Sequence, residues 1–212
     1  MITCSTCLRP QVICVCDRMT PIPTATRLLL LQHPQEPDVA LGTAPILLGM
    51  LPNATLRVGL SWASLGHALG EEGIDPRRWG VLYPASLPRE LFPNEETMPH
   101  LVLDPKGQMM REKLDGIVLL DGTWSQAKAM WWRNAWMLKL SRLLIHPTEA
   151  PIYGKLRREP RKGAVSTLEA AGLALVANGE PPETKAQLYR VMRTMVQRAR
   201  DNVEAIGWTV GS

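Results

Sequence analysis

The 212-residue sequence predicts an α/β fold. Three features carry that reading: short apolar runs of strand length, abrupt ends to those runs at proline or Asp-Gly, and helix-like segments between them. Residues 27–32 (RLLLLQ) suit a strand buried on both faces, and His33-Pro34 ends it, because proline brings no ladder donor and restricts the residue before it. Residues 39–51 predict a short helix. Residues 55–60 and 79–83 are further strand candidates, the second stopping at Pro84. Residues 116–120 (GIVLL) form the clearest strand and run straight into Asp121-Gly122. A helix is expected over 125–137, then a strand over 141–145 closed by His146-Pro147. Ser166-Thr167-Leu168-Glu169 has the capping-box spacing and introduces an apolar helix over 168–177. Pro181-Pro182 ends that segment. Residues 183–206 then read as a long final helix, apolar through Leu188, Val191, Met192, Met195, Val196, Ala199 and Val203, with its arginines on the other side.

Composition agrees with an ordinary globular chain: 45% hydrophobic and 21% charged residues exclude collagen, coiled coil and wholesale disorder. No apolar run approaches the roughly 18 to 20 residues of a membrane span. The start, Met1-Ile2-Thr3-Cys4, has neither a basic beginning nor an apolar stretch behind it, so a cytoplasmic location is expected. Charge is lopsided. Residues 1–150 carry 14 groups of each sign, whereas residues 151–212 carry 10 basic and 6 acidic groups, which places the whole excess of +4 in the last segment. Two clusters supply it: Lys155, Arg157, Arg158, Arg161 and Lys162, then Lys185, Arg190, Arg193, Arg198 and Arg200. A solvated face and a nucleic-acid surface both fit such clusters.

All four cysteines fall in one short stretch, Cys4-x2-Cys7-x6-Cys14-x-Cys16. In a reducing compartment disulfides do not persist, whereas four thiolates this close in sequence can wrap a tetrahedral Zn²⁺ in a closed structural site. Pro10, after Arg9, is placed to turn the chain back between the pairs. Free thiols in a frayed terminus are the alternative. The expected division is a cysteine knuckle over residues 1–22 and a single larger domain over 23–212.

Open α/β sheets bind ligands at the carboxyl ends of their strands, which directs attention to Gln32-His33-Pro34, Tyr83-Pro84-Ala85, Asp121-Gly122-Thr123-Trp124 and His146-Pro147. Asp121 is the best candidate for chemistry, since a carboxylate directly behind an apolar run is partly desolvated and so placed to act as a base. An N-cap for the following helix is the competing role. Trp124, Trp131, Trp132 and Trp136 read first as packing and second as a stacking platform for a base. Neither G-x-G-x-x-G nor G-x4-G-K-[ST] occurs, which disfavours nucleoside triphosphate chemistry.

Several separated motifs together resemble one family, the DTW-domain proteins, tRNA-uridine aminocarboxypropyltransferases. The resemblance rests on the cysteine pattern with Pro10, on Gln32-His33-Pro34-x-Glu36, on Tyr83-Pro84, on Asp121-Gly122-Thr123-Trp124-Ser125-Gln126-Ala127 and on Ser166-Thr167-Leu168-Glu169-Ala170, spanning residues 4–170. Two positions depart from it: Gly42 stands where many members have Asn before Thr43, and Ala85 where Ser is common. The resemblance implies a SPOUT-like sheet with a knotted C-terminal region that holds S-adenosylmethionine. It implies transfer of the 3-amino-3-carboxypropyl group to N3 of a tRNA uridine, in the variable loop of bacterial tRNAs, with release of 5′-methylthioadenosine. Asp121 would then be the base, with Thr123 and Trp124 beside it. Tyr83, Pro84, Ala85, Leu120, Gly122, Ser125, Ser166, Thr167 and Leu168 would line the donor, and Cys4, Cys7, Cys14 and Cys16 would hold zinc. Lys155, Arg157, Arg158, Arg161 and Lys162, with Arg9 and Arg18 on the knuckle, would meet tRNA phosphates. A SPOUT-type methyltransferase and a non-catalytic zinc-containing RNA-binding protein are the readings from other classes. Monomer and dimer stay open, because the apolar stripe of the last helix could cover either surface.

Overall fold

The computed structural model describes residues 2–7, 9–36, 41–82, 100–156 and 165–204. Six strands form one sheet: β1 (Arg27–Gln32), β2 (Ala54–Val58), β3 (Trp79–Leu82), β4 (His100–Leu103), β5 (Gly116–Asp121) and β6 (Ser141–Ile145). Their spatial order is β2-β1-β5-β3-β6-β4, all parallel except the edge strand β4, which runs antiparallel to β6. The central strands are buried on both faces, as their unbroken apolar runs require. Trp79 packs so closely on Gly116 that a Cβ there would lie 2.5 Å from the indole ring, so glycine fits that register position.

Helices cover both faces. One face carries α1 (Ala44–Met50), α4 (Thr167–Ala177) and α5 (Pro182–Asp201), whose apolar side chains pack on Leu28, Leu30, Ile117 and Leu119. Ile13, Val15 and Ile22 of the N-terminal segment join the same core. The other face carries α2 (Leu65–Leu69) and α3 (Trp124–Arg133), packed on Leu29, Leu31, Val81 and Val118. Among the described residues no helix is long and apolar enough to cross a membrane.

Sequence and structure differ at several elements, each for a local reason. The first helix starts at Ala44, with Pro45 in its first turn, and residues 37–40 lie outside the described residues. The helix expected over 125–137 ends at Arg133, because Asn134 leaves the helical region and turns its amide to Leu60 O, Met130 O and the Trp62 N–H. A 3₁₀ segment, Ala135–Lys139, carries the chain on to β6. Two elements were not read from the sequence. Helix α2 is only five residues long, capped by Ser64 and closed by Gly70 at φ 78°. Strand β4 has four residues and pairs on one edge only.

Candidate active site

After β1 the chain passes to α1 on one face, and after β5 it passes to α3 on the other, although β1 and β5 are neighbours. Such a reversal opens a crevice at the carboxyl ends of the two strands. Register puts Gln32 opposite Asp121 at this point. Alternation along the strands turns both side chains toward the face of α4, since Leu28, Leu30, Ile117 and Leu119 already point there. Asp121 is 7% exposed. Its Oδ2 accepts from Gln32 Nε2 at 2.7 Å, and its Oδ1 accepts from the Thr167 hydroxyl at the start of α4. Both donors are neutral groups that orient the carboxylate.

Asp121 does not cap a helix. The N-cap of α3 is Thr123, whose hydroxyl accepts from Gln126 N at 3.4 Å while Gln126 Oε1 accepts from Thr123 N at 2.6 Å. Thr123 Oγ1 also lies 3.1 Å from Ser125 Oγ. Thr123, Trp124 and Ser125 therefore belong to the rim formed by α3, with Trp124 37% exposed, while the Asp121 carboxylate faces α4. Of the tryptophans, Trp131 is buried in the core beneath α3 and Trp132 stands 73% exposed.

The capping box at Ser166 forms as its spacing requires: Glu169 Oε2 accepts from Ser166 N at 2.9 Å, and Ser166 Oγ accepts from Glu169 N at 3.2 Å. Buried Glu169 also accepts from Ile152 N at 2.8 Å, which ties α4 to the loop after β6. Leu168 N donates to Thr43 Oγ1 at 3.2 Å, so the turn before α1 forms a further wall. Gly122 completes the floor. A Cβ there would meet Gln126 Cβ and Oε1 at 3.1 Å and His33 Cβ at 3.4 Å. The structure thus gathers Asp121, Gly122, Ser166, Thr167 and Leu168, with Leu120 half-buried one residue back in β5. Tyr83, Pro84 and Ala85 lie outside the described residues, as do Arg157, Arg158, Arg161 and Lys162, and nothing is described of the Lys155 side chain. Gln32, named only as a strand end and motif residue, and Thr43 had been given no role at the site. For Gln32 the signal was present, as a single amide ending a run of four leucines.

The cysteine knuckle lies at the N-terminal end of the chain. All four sulfurs lie within 4.8 Å of one another, with Cys4–Cys16 at 3.8 Å and Cys7–Cys14 at 3.7 Å. A tetrahedral ion with bonds of about 2.3 Å to four sulfurs sets them about 3.8 Å apart, so the donor set fits one metal ion. Backbone N–H groups of Cys7 and Thr6 pull the Cys4 thiol down to about 6, whereas burial pushes Cys14 and Cys16 up. Helix α5 braces the knuckle, because Arg198 donates to Cys14 O and pairs with Asp17 at 2.8 Å. Arg18 is exposed beside Asp17. Arg9, expected on that exposed edge, is instead 3% exposed and donates from Nη2 to Gly42 O, so it offers no surface to a polyanion.

A parallel-rich α/β sheet with a polar crevice at its strand reversal, joined to a four-cysteine knuckle whose donor set fits one metal ion, defines the class. A family model described as the DTW domain matches residues 1–200, and the chain belongs to that family. A tRNA-uridine aminocarboxypropyltransferase 2 from Macaca fascicularis is 30% identical over 188 residues, covering 81% of this chain and 55% of its own length. The protein of the same name from Drosophila melanogaster is 30% identical over 204 residues, covering 94% of this chain and 75% of its own. A tRNA-uridine aminocarboxypropyltransferase A from Arabidopsis thaliana is 28% identical over 226 residues, covering 92% and 79%. The chain therefore spans about half the length of the macaque relative. No solved structure matches it.

Proposed function

We propose that this protein is a tRNA-uridine aminocarboxypropyltransferase that uses S-adenosylmethionine as its second substrate. The observation that carries this is Asp121, the aspartate of the Asp-Gly-Thr-Trp block, at the β1–β5 reversal and oriented by Gln32 and Thr167. The names of the relatives support the same reaction. As uridine N3 bonds to the methylene carbon beside sulfur, the N3 proton passes to the Asp121 carboxylate. The carbon–sulfur bond breaks with its electron pair moving to sulfur, which cancels the sulfonium charge and releases neutral 5′-methylthioadenosine. Sulfonium is already a good leaving group, so the protein's share is positioning, base catalysis and exposure of the methylene rather than the methyl carbon.

Donor binding is assigned to Tyr83, Pro84, Ala85, Leu120, Gly122, Ser125, Ser166, Thr167 and Leu168, with Thr123 and Trp124 at the uridine side. Arg18 and the cluster Lys155, Arg157, Arg158, Arg161 and Lys162 hold tRNA phosphates, a contribution that weakens with salt. Zn²⁺ is the metal of the knuckle, where it supplies a rigid crosslink among Cys4, Cys7, Cys14 and Cys16. The division into a knuckle over 1–22 and a catalytic domain over 23–212, a SPOUT-like knotted arrangement and a cytoplasmic location belong to the same reading. Supporting the SPOUT likeness is the insertion of β5 between β1 and β3, with the start of α4 set against its end.

The test is incubation of the purified protein with S-adenosylmethionine and unmodified bacterial tRNA, followed by mass spectrometry of the small-molecule products. Methylthioadenosine is expected. Adenosylhomocysteine would mean methyl transfer instead, and tight tRNA binding with no product would mean a binding protein.

A further inference from the structure

Among the described residues, two buried side-chain nitrogens or oxygens have no hydrogen-bond partner, and both belong to Arg9: its Nε and Nη1. The third guanidinium nitrogen, Nη2, donates to Gly42 O. A buried guanidinium with two idle donors is costly unless an anion completes it. Its mooring says where that anion lies. Gly42 precedes Thr43, Thr43 Oγ1 receives Leu168 N, and the adjoining Thr167 holds Asp121, so the guanidinium is anchored to one wall of the crevice. Leu168 N is already taken there by Thr43 Oγ1, and Ser166 N and Glu169 N are satisfied within the capping box. Among the described residues, Arg9 is the buried cation tied to this wall with donors still unfilled. A burial this deep admits a small carboxylate rather than a polynucleotide backbone.

We infer that Arg9, carried into the crevice from the cysteine knuckle, receives the carboxylate of the 3-amino-3-carboxypropyl group of the donor. This rests on the function proposed above and adds to it a specificity residue for the group transferred. It also gives the knuckle a part in donor recognition: Arg9 lies between Cys7 and Cys14, and Cys4 N donates to Arg9 O at 2.8 Å, so the folded knuckle fixes where the guanidinium starts.

The experiment is a binding cycle by calorimetry without tRNA, using S-adenosylmethionine and its decarboxylated analogue against wild type, Arg9→Met and Arg9→Lys, with zinc content and circular dichroism measured on each protein. Wild type is expected to prefer the carboxylate-bearing ligand by about tenfold or more, the scale of a charge-assisted contact. Arg9→Met is expected to abolish that preference while binding the decarboxylated analogue as wild type does. If Arg9→Met does not fold, Arg9→Lys is read the same way, with the preference reduced. Equal loss for both ligands, or a preference unchanged in a folded variant, would overturn the inference and leave the function reading standing. A wild type that binds neither ligand would overturn both.

Discussion

At Gly122 the floor of the crevice is tight for even one added carbon. The nearest atoms to an added Cβ are Cβ and Oε1 of Gln126, which is locked in the capping box with Thr123, and Cβ of His33, held by its backbone bond to Asp121 O. Neither neighbour is a free side-chain end, so Gly122→Ala must push Gln126 aside by a few tenths of an ångström against its capping box. We expect it to cost about 1–3 kcal/mol of stability, the range for overpacking, and to weaken S-adenosylmethionine binding. Urea titration and calorimetry on one preparation check both. Sequence alone reached Asp121 at this scale because an acidic residue ending a buried strand is visible as a break in hydrophobicity. It could not choose between base and cap, since Asp121 and Thr123 are both able N-caps and only the backbone shows which one precedes the first helical turn. Arg9 was misplaced for a related reason. An arginine in a short cysteine-rich loop reads as exposed until the packing of Gly42 against it is known.

Elements were legible where they were long or fully apolar. β1 and β6 appear at their expected limits, β5 is one residue longer, and α4 begins one residue earlier, behind its cap. Elements were lost where tertiary pairing alone makes them: β4 has four residues and one neighbour, and α2 rests on a cap at each end. At the amino ends of β3 and β5, away from the crevice, Arg78 grips the Asp115 carboxylate with Nε at 2.8 Å and with Nη2, and Asp115 N donates to Arg78 O at 2.7 Å. Hydrogen bonding from Arg78 holds the Asp115 carboxyl below its usual value of 3.8. A carboxyl depressed in the folded state contributes stability above its unfolded value and loses it as pH falls through the folded one. Arg78→Met should therefore lower stability only slightly near neutral pH, because the pair is exposed and solvent screens it. That difference should shrink as pH drops below about 4, where the carboxyl protonates in the unfolded chain. Denaturant titrations of both proteins from pH 7 to pH 3 check it, and a difference independent of pH would assign the pair no electrostatic role.

For the whole molecule, the segment that carries the knuckle shares the main core with the larger domain. Ile13 and Val15 are buried with α5, and Arg198 crosses to Cys14 O and Asp17. Without the metal ion proposed for the knuckle, four sulfurs within 4.8 Å of one another lose their crosslink, which should loosen that shared core. Chelation under reducing conditions is expected to lower the melting temperature by about 5 °C or more, roughly 2 kcal/mol for a chain of this size. An unchanged melting temperature would separate the knuckle energetically from the sheet. This link was invisible in the sequence, because the cysteine spacing specifies a local loop and says nothing of which helix closes over it. The strand order was equally hidden: placing β5 between β1 and β3 depends on long-range pairing, and that order is what creates the crevice.

The central claim is that Asp121 takes the uridine proton. Asp121→Asn tests it with little disturbance, because the amide keeps an acceptor for Thr167 and Gln32 can turn its own amide over to restore the second bond. The measurement is the single-turnover rate of methylthioadenosine release from wild type and Asp121→Asn, with S-adenosylmethionine affinity determined in parallel. The account predicts a fall in rate of about a thousandfold with affinity nearly unchanged, the scale of general base catalysis. A variant that releases methylthioadenosine at close to the wild-type rate would contradict it and reduce Asp121 to a tie between β5 and α4.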